Sequence, residues 1–367
     1  MSARRNSAAA SSTGLSTVLS TPWRMMLFVA IICCMYSIMT TARLLRSGFT
    51  KRELARAEKC CVQRIARGRY AVERTCRAPE HATIWAAVSE GSAEQFETFN
   101  DRRDSEQNLK ALIRARAEKV NEEYSSDPAG AVRETFSHLS AALIHGLPLA
   151  GIPDPRVEIL RPGAARKHRH LRVRNAALPS AHVTAVGIYR VTTVERTLVD
   201  VALTYDLATA VTMIDDVLHN CVTDVDSIER IFAECGQARA QLRARSAFDL
   251  ADDRRESPAE TIAAVRLFES GIGGFEPQVE FKDDFGRVWA RVDFCHRGSK
   301  VIIEVDGLGK YSMGTRTPRQ ALEAEKNRDA RLMAQGYRVI HLTWRQLFSV
   351  GPFEDIKRVV AERAIAR

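Results

Sequence analysis

Residues 288–306 alternate between apolar and polar positions with the two-residue period of paired strands. Val288, Ala290, Val292 and Phe294 interleave with Trp289, Arg291, Asp293 and Cys295. After Arg297-Gly298-Ser299-Lys300, Val301, Ile303 and Val305 interleave with Ile302, Glu304 and Asp306. Gly298-Ser299 suits a two-residue type II′ turn, which sets Arg297 opposite Lys300, Asp293 opposite Glu304 and Arg291 opposite Asp306. This register predicts one wholly apolar face and a second face that gathers three acids and an arginine.

The neighbouring segments continue the pattern. Ser257-Pro258-Ala259-Glu260 opens a helix with Ser at the N-cap, Pro at the first position and Glu at the third. Ile262, Val265, Leu267 and Phe268 give that helix an apolar side. A strand follows at Gln278–Lys282, a turn at Asp283–Gly286, then the hairpin, a helix over Arg319–Gln335, a strand over Tyr337–Trp344 and a last helix from about Phe353. The order α-β-β-β-α-β-α predicts a mixed sheet with helices on its faces.

Upstream, Thr50-Lys51-Arg52-Glu53 is a capping-box sequence, and Arg64–Val72 reads as a small basic hairpin. A helix followed by a hairpin outlines a winged helix; a short basic arm is the alternative. Glu80–Tyr124 has a helical pattern, Ser137–Leu147 reads as another helix and Arg156–Leu160 as a strand. Thr193–Cys235 is mainly helical, with Val194, Leu198, Val201, Val211, Ile214 and Val217 spaced as core faces. Asp249–Glu256 is a charged linker. The chain thus divides into 1–39, a winged-helix-like unit over 40–80, an α/β middle domain over 81–248 and a last domain over 249–367.

Composition adds direction. The chain has 367 residues, 45% of them apolar, and a net charge of +9, which leans towards a polyanionic partner such as DNA. Arg161–Arg174 holds six Arg/Lys and two His without an acid, so it either contacts phosphates or forms a solvated loop. Arg67, Arg69, Arg166, Lys167, Arg169 and Arg172 are the candidate DNA contacts. The eight cysteines include no C-x-x-C pair, which leaves a zinc knuckle unsupported, and the vicinal pairs Cys33-Cys34 and Cys60-Cys61 suit a reducing, cytoplasmic setting. Residues 1–21, rich in Ser, Thr and Ala, predict a disordered tail. Met25–Ala42 is eighteen residues without a charge. It admits three readings: a single-pass membrane anchor, a helix packed on the protein, or a translation start drawn ahead of Met39. The last is favoured, because the sequence after Met39 reads as a soluble protein.

Converging carboxylates are what a magnesium or manganese ion requires, and such an ion activates water against a phosphodiester. Asp293, Glu304 and Asp306 are the candidate metal ligands.

The C-terminal pattern resembles the PD-(D/E)xK nuclease superfamily, and within it the Vsr-like endonuclease domains of bacteria. Ser257-x-x-Glu260, Arg291-Val292-Asp293, Glu304-Val305-Asp306-Gly307, Glu325-Lys326-x-Arg328-Asp329 and Val339–Trp344 carry the likeness, over residues 249–350. Ser137–Leu149 and Arg190–Asp200 look like the middle of AbiEi-type antitoxins, which pair a winged helix with such a domain. The resemblance implies a restriction-endonuclease-like fold, α+β overall, and a metal-dependent DNA endonuclease with catalytic Asp293 and Glu304. Glu260 then serves as an additional helix acid, or only as the capping-box glutamate. The superfamily's lysine two positions after Glu304 is Asp306 here, so Lys310 or Lys326 is left to supply that charge. The substitution implies either a three-acid site or a site that no longer cuts. In the second case the chain is a DNA-binding regulator of the antitoxin type, with a toxin as a further partner.

Overall fold

The structure, a computed structural model, describes residues 38–365 except 47, 67, 73–77, 82–104, 127, 129–132, 169, 236–239 and 307–317. The fold is mixed α and β, with eleven helices and three sheets among the described residues. The expected tail, most of Met25–Ala42, and Arg67, Arg169 and Lys310 lie outside them. Of the apolar segment, Ile38–Thr40 is a strand and Met39 is buried. No helix among the described residues is long and apolar enough to cross a membrane.

The first unit comprises β1 (Ile38–Thr40), α1 (Thr41–Arg46), α2 (Lys51–Ala57), β2 (Val62–Ala66) and β3 (Arg69–Val72), with its antiparallel sheet ordered β1-β3-β2. The capping box forms: Thr50 Oγ1 accepts the Glu53 N–H at 3.2 Å, and the Glu53 carboxylate accepts the Thr50 N–H at 2.8 Å. Gly68 turns the hairpin at a φ of 75°, where a Cβ would be strained. Arg69, expected to reach DNA, instead points inward and is 4% exposed. It pairs with Glu118 at 3.3 Å and with Glu122, which lie one turn apart on α3 (Ser105–Ser126). An arginine so placed is held by buried ion pairing, not offered to a phosphate.

The second sheet has the order β6-β7-β5-β4-β9-β8, from β4 (Thr135–Phe136), β5 (Val157–Arg161), β6 (Arg166–Lys167), β7 (Leu171–Asn175), β8 (Val183–Val186) and β9 (Tyr189–Thr192). Helices α3 and α4 (His138–His145) pack on it through Leu109, Ile113 and Ile144 against Phe136, Ile159 and Val191. Here the basic run meets acids from outside itself. Arg172 reaches Asp154 (3.1 Å) and Glu158 (3.3 Å), Arg174 reaches Glu158 (2.8 Å), and Arg161 reaches Glu134 (3.0 Å). Arg172 is therefore committed to folding the sheet, because a buried Glu158 needs compensating charge. Arg166 and Lys167 remain exposed on the edge strand β6.

Four helices follow: α5 (Val194–Thr204), α6 (Leu207–His219), α7 (Val225–Glu234) and α8 (Gln241–Leu250). Then come α9 (Pro258–Glu269), β10 (Glu276–Lys282), β11 (Val288–His296), β12 (Val301–Asp306), α10 (Pro318–Ala334), β13 (Arg338–Thr343) and α11 (Val350–Ile365). The expected element order is present, in a sheet β10-β11-β12-β13 that is antiparallel except for the parallel pair β12–β13.

Two hairpin details differ from expectation. Phe294, Ile303 and Val305 join the core with Ile262 and Val265 of α9, while Val292, Cys295 and Ile302 pack in a second core with Leu332 of α10. Both faces are thus apolar, because helices cover both. The turn is a four-residue loop, not type II′: Gly298 has no positive φ, Lys300 does at 52°, and the Lys300 N–H donates to Arg297 C=O at 3.3 Å. His296 draws the loop in, accepting the Ser299 N–H on Nδ1 at 3.0 Å. The register survives, with Phe294 opposite Ile303 and His296 opposite Val301.

The charged stretch Asp249–Glu256 is tied down by a buried joint. Asp215 on α6 accepts from Arg255 (2.6 Å), from the Thr261 hydroxyl on α9 (2.7 Å) and from the Asp252 N–H (2.8 Å). One apolar core runs past this joint, from Val211 and Ile214 of α6 to Ile262 and Val265 of α9. Asp215→Ala would strand Arg255 without its counter-charge, and a loss of about 3–5 kcal/mol in unfolding free energy is expected from urea denaturation of the full chain.

Candidate metal-binding site at the end of strand β12

Strand β12 carries Glu304 and Asp306 to the end of the sheet, and its parallel neighbour β13 sets His341 beside Glu304. Helix α10 crosses above. Its positions 325, 328, 329 and 332 fall on one face by the helical repeat. Leu332 at one end of that stripe is fully buried against the sheet. Glu325, Arg328 and Asp329 at the other end meet the acids of β12.

The polar groups form a chain of contacts. Glu304, 3% exposed, takes Arg328 Nη2 at 3.1 Å. Arg328 Nε lies 3.7 Å from Asp329, whose other oxygen is 2.8 Å from His341 Nε2. His341 Nδ1 is 3.7 Å from both Asp306 and Glu325. One ligand atom each from Asp306, Glu325 and His341 lies within 4.8 Å of the others, a separation that a single cation can bridge.

Asp293 enters this network through the backbone. The β11–β12 ladder runs from His296–Val301 to Phe294–Ile303 and stops there. One step on, the Asp293 carboxylate accepts the Val305 N–H at 2.7 Å, so a side chain takes over from the main chain. On its other flank the β10 pairing skips Gln278, which has a φ of 53°, an uncommon value for a residue with a Cβ. Gln278 Nε2 donates to Glu260 at 2.7 Å.

The remaining candidates separate. The expected facing pair Arg291–Asp306 does not form: Arg291 makes a two-pronged ion pair with Glu256 at 2.7 Å, and Asp306 turns to His341. The strands part at Asp293, which releases Arg291 from the register. Glu260 is buried at the start of α9, where its carboxylate accepts from Ser257 Oγ at 2.7 Å and from the Glu256 N–H at 3.1 Å, in addition to Gln278. Lys326 is exposed on α10.

His341, Glu325 and Asp329 were not among the sequence candidates for metal. Their signal was the four-residue spacing of Glu325 and Asp329 on a helix that precedes a strand parallel to β12. No protein family, curated protein or solved structure gives a significant match to this chain.

Burial alone pushes the His341 imidazole down, but Asp329, Asp306 and Glu325 together outweigh it and raise its pKa above 6.5. The charged form is therefore the one the fold favours. The corresponding stability is complete below the unfolded value and is lost as pH rises through the higher folded value. In a proton resonance titration, His341 is expected to titrate above the ordinary imidazole range. Asp329→Asn should lower that midpoint, and His341→Gln should flatten the fall in urea midpoint across neutral pH.

Proposed function

We propose that this chain is a metal-dependent DNA endonuclease whose centre lies at the end of β12. The observation that carries the reading is the convergence of Asp306, Glu325 and His341 beside buried Glu304. Two carboxylates and one imidazole suit manganese better than magnesium, since magnesium prefers an all-oxygen shell. A bound cation would polarise the phosphoryl oxygen and lower the pKa of a water. Asp306, Glu325 and His341 would hold it. Asp293 fixes the backbone between the two acids of β12, and Arg328 neutralises Glu304 next to the site. Arg328 provides positive charge close to where the superfamily has its lysine, the place Asp306 occupies here.

DNA is the substrate we infer, on a basic surface distinct from the arginines first singled out. Arg46, Lys51, Arg52, Arg56, Lys59 and Arg64 are all exposed on the first unit, which is small, helical and carries a hairpin as a winged helix does. With the reading goes a cytoplasmic setting. A second reading, the non-cleaving antitoxin-like regulator, is favoured by the Glu304–Arg328 ion pair, which already balances one of the two superfamily acids.

Supercoiled plasmid incubated with the full chain and manganese is expected to be nicked, and chelator should stop it. Asp306→Asn, Glu325→Gln and His341→Asn should each slow nicking by about two orders of magnitude, the scale of losing a principal electrostatic group. Plasmid retained in a mobility-shift assay but left intact would favour the regulator. Neither retention nor nicking would sink both readings.

A further inference from the structure

Cys60 and Cys61 follow α2 in a tight turn, where both backbone N–H groups donate to Ala57 C=O at 3.0 Å. His81 ends a short 3-10 turn, Pro79–His81, whose own N–H donates to Ala78 C=O at 2.9 Å. The chain brings this turn back onto the start of β2, so that His81 Nδ1 lies 3.3 Å from Cys60 Sγ and 3.6 Å from Cys61 Sγ. The three donor atoms lie within 4.8 Å of one another. Cys61 is fully buried, His81 is 3% exposed and Cys60 is half-buried.

We propose that Cys60, Cys61 and His81 bind a zinc ion that staples the first unit together. The two sulfur–nitrogen separations fit edges of a tetrahedral site. Zinc–sulfur bonds of about 2.3 Å and a zinc–nitrogen bond of about 2.0 Å at the tetrahedral angle set a sulfur–nitrogen edge of roughly 3.5 Å. Both separations, 3.3 and 3.6 Å, are close to that edge. Two thiolates and an imidazole are the donors that borderline-soft zinc takes, whereas calcium and magnesium require oxygen.

The unit also has a need for such a staple. Among the described residues its core holds eight buried side chains, Met39, Leu44, Phe49, Leu54 and Tyr70 among them. Folded bodies of roughly 40 residues seldom hold on apolar burial alone and commonly use metals or disulfides. Cys61 is itself one of the eight, so a metal there is anchored directly in the core. The absence of a C-x-x-C spacing hid the site, because its two thiols are adjacent in sequence and its imidazole comes from a turn twenty residues on.

The full chain expressed in zinc-supplemented medium and desalted is expected to retain about one zinc per chain by elemental analysis. Cobalt added to metal-free protein should give a thiolate-to-metal charge-transfer band and the visible bands of tetrahedral coordination. The double variant Cys61→Ser with His81→Asn should lose both signals, while Asp306→Asn with Glu325→Gln keeps them. Should the first double variant fold poorly, the wild-type protein still decides: its thermal midpoint should fall when a strong chelator removes the metal. Wild-type protein without zinc and without a charge-transfer band on cobalt addition would overturn the assignment. So would zinc retained in full by the Cys61/His81 variant.

Discussion

Because Val301, Ile302, Ile303 and Val305 of β12 are all withdrawn from water, that strand needs an apolar neighbour on each face. Helix α9 provides one and α10 the other, and α9 can do so only while its own far side rests on α6 and its neighbours. The Asp215–Arg255–Thr261 joint sits where this second layer meets the first. Burial of one six-residue strand therefore dictates the packing of the whole second half of the chain. It also brings the charged end of α10 over the acids of β12, since the same helix face holds Leu332 and, two turns away, Glu325.

Much of the C-terminal half was legible in the sequence. Strand alternation over 288–306 and the Ser257-Pro258 start of α9 set the element order, and the hairpin register came out with Phe294 against Ile303 as the alternation implies. Alternation misled about the faces, because it assumes one wet side, whereas Cys295 and Ile302 are covered by α10. The second sheet was mostly missed. Its strands β4 and β6 have two residues each, too few to show any period, and β8 has two exposed residues in sequence. The basic runs misled for another reason. Arg69 and Arg172 are balanced by Glu118, Glu122, Asp154 and Glu158, which are near only in the folded chain.

The candidate site was half legible. Asp293, Glu304 and Asp306 do come to one end of the sheet, but each has a different occupation: backbone support, an ion pair with Arg328, and a place beside His341. Single-strand periodicity sees only the first and second dimension of a site. His341 and Glu325 belong to the third, supplied by a parallel strand and a crossover helix.

Asp293 makes the strand end and the acid inventory inseparable. Its carboxylate accepts the Val305 N–H, so replacing it with alanine removes a charge and a hydrogen-bond acceptor at once. Asparagine keeps an acceptor oxygen while discarding the charge, and so separates the two roles. A chain with no use for the charge would thus still need an acid or amide here for architectural reasons. The presence of Asp293 in a sequence is then a record of how the sheet ends, and says less about chemistry than the residues at 306, 325 and 341.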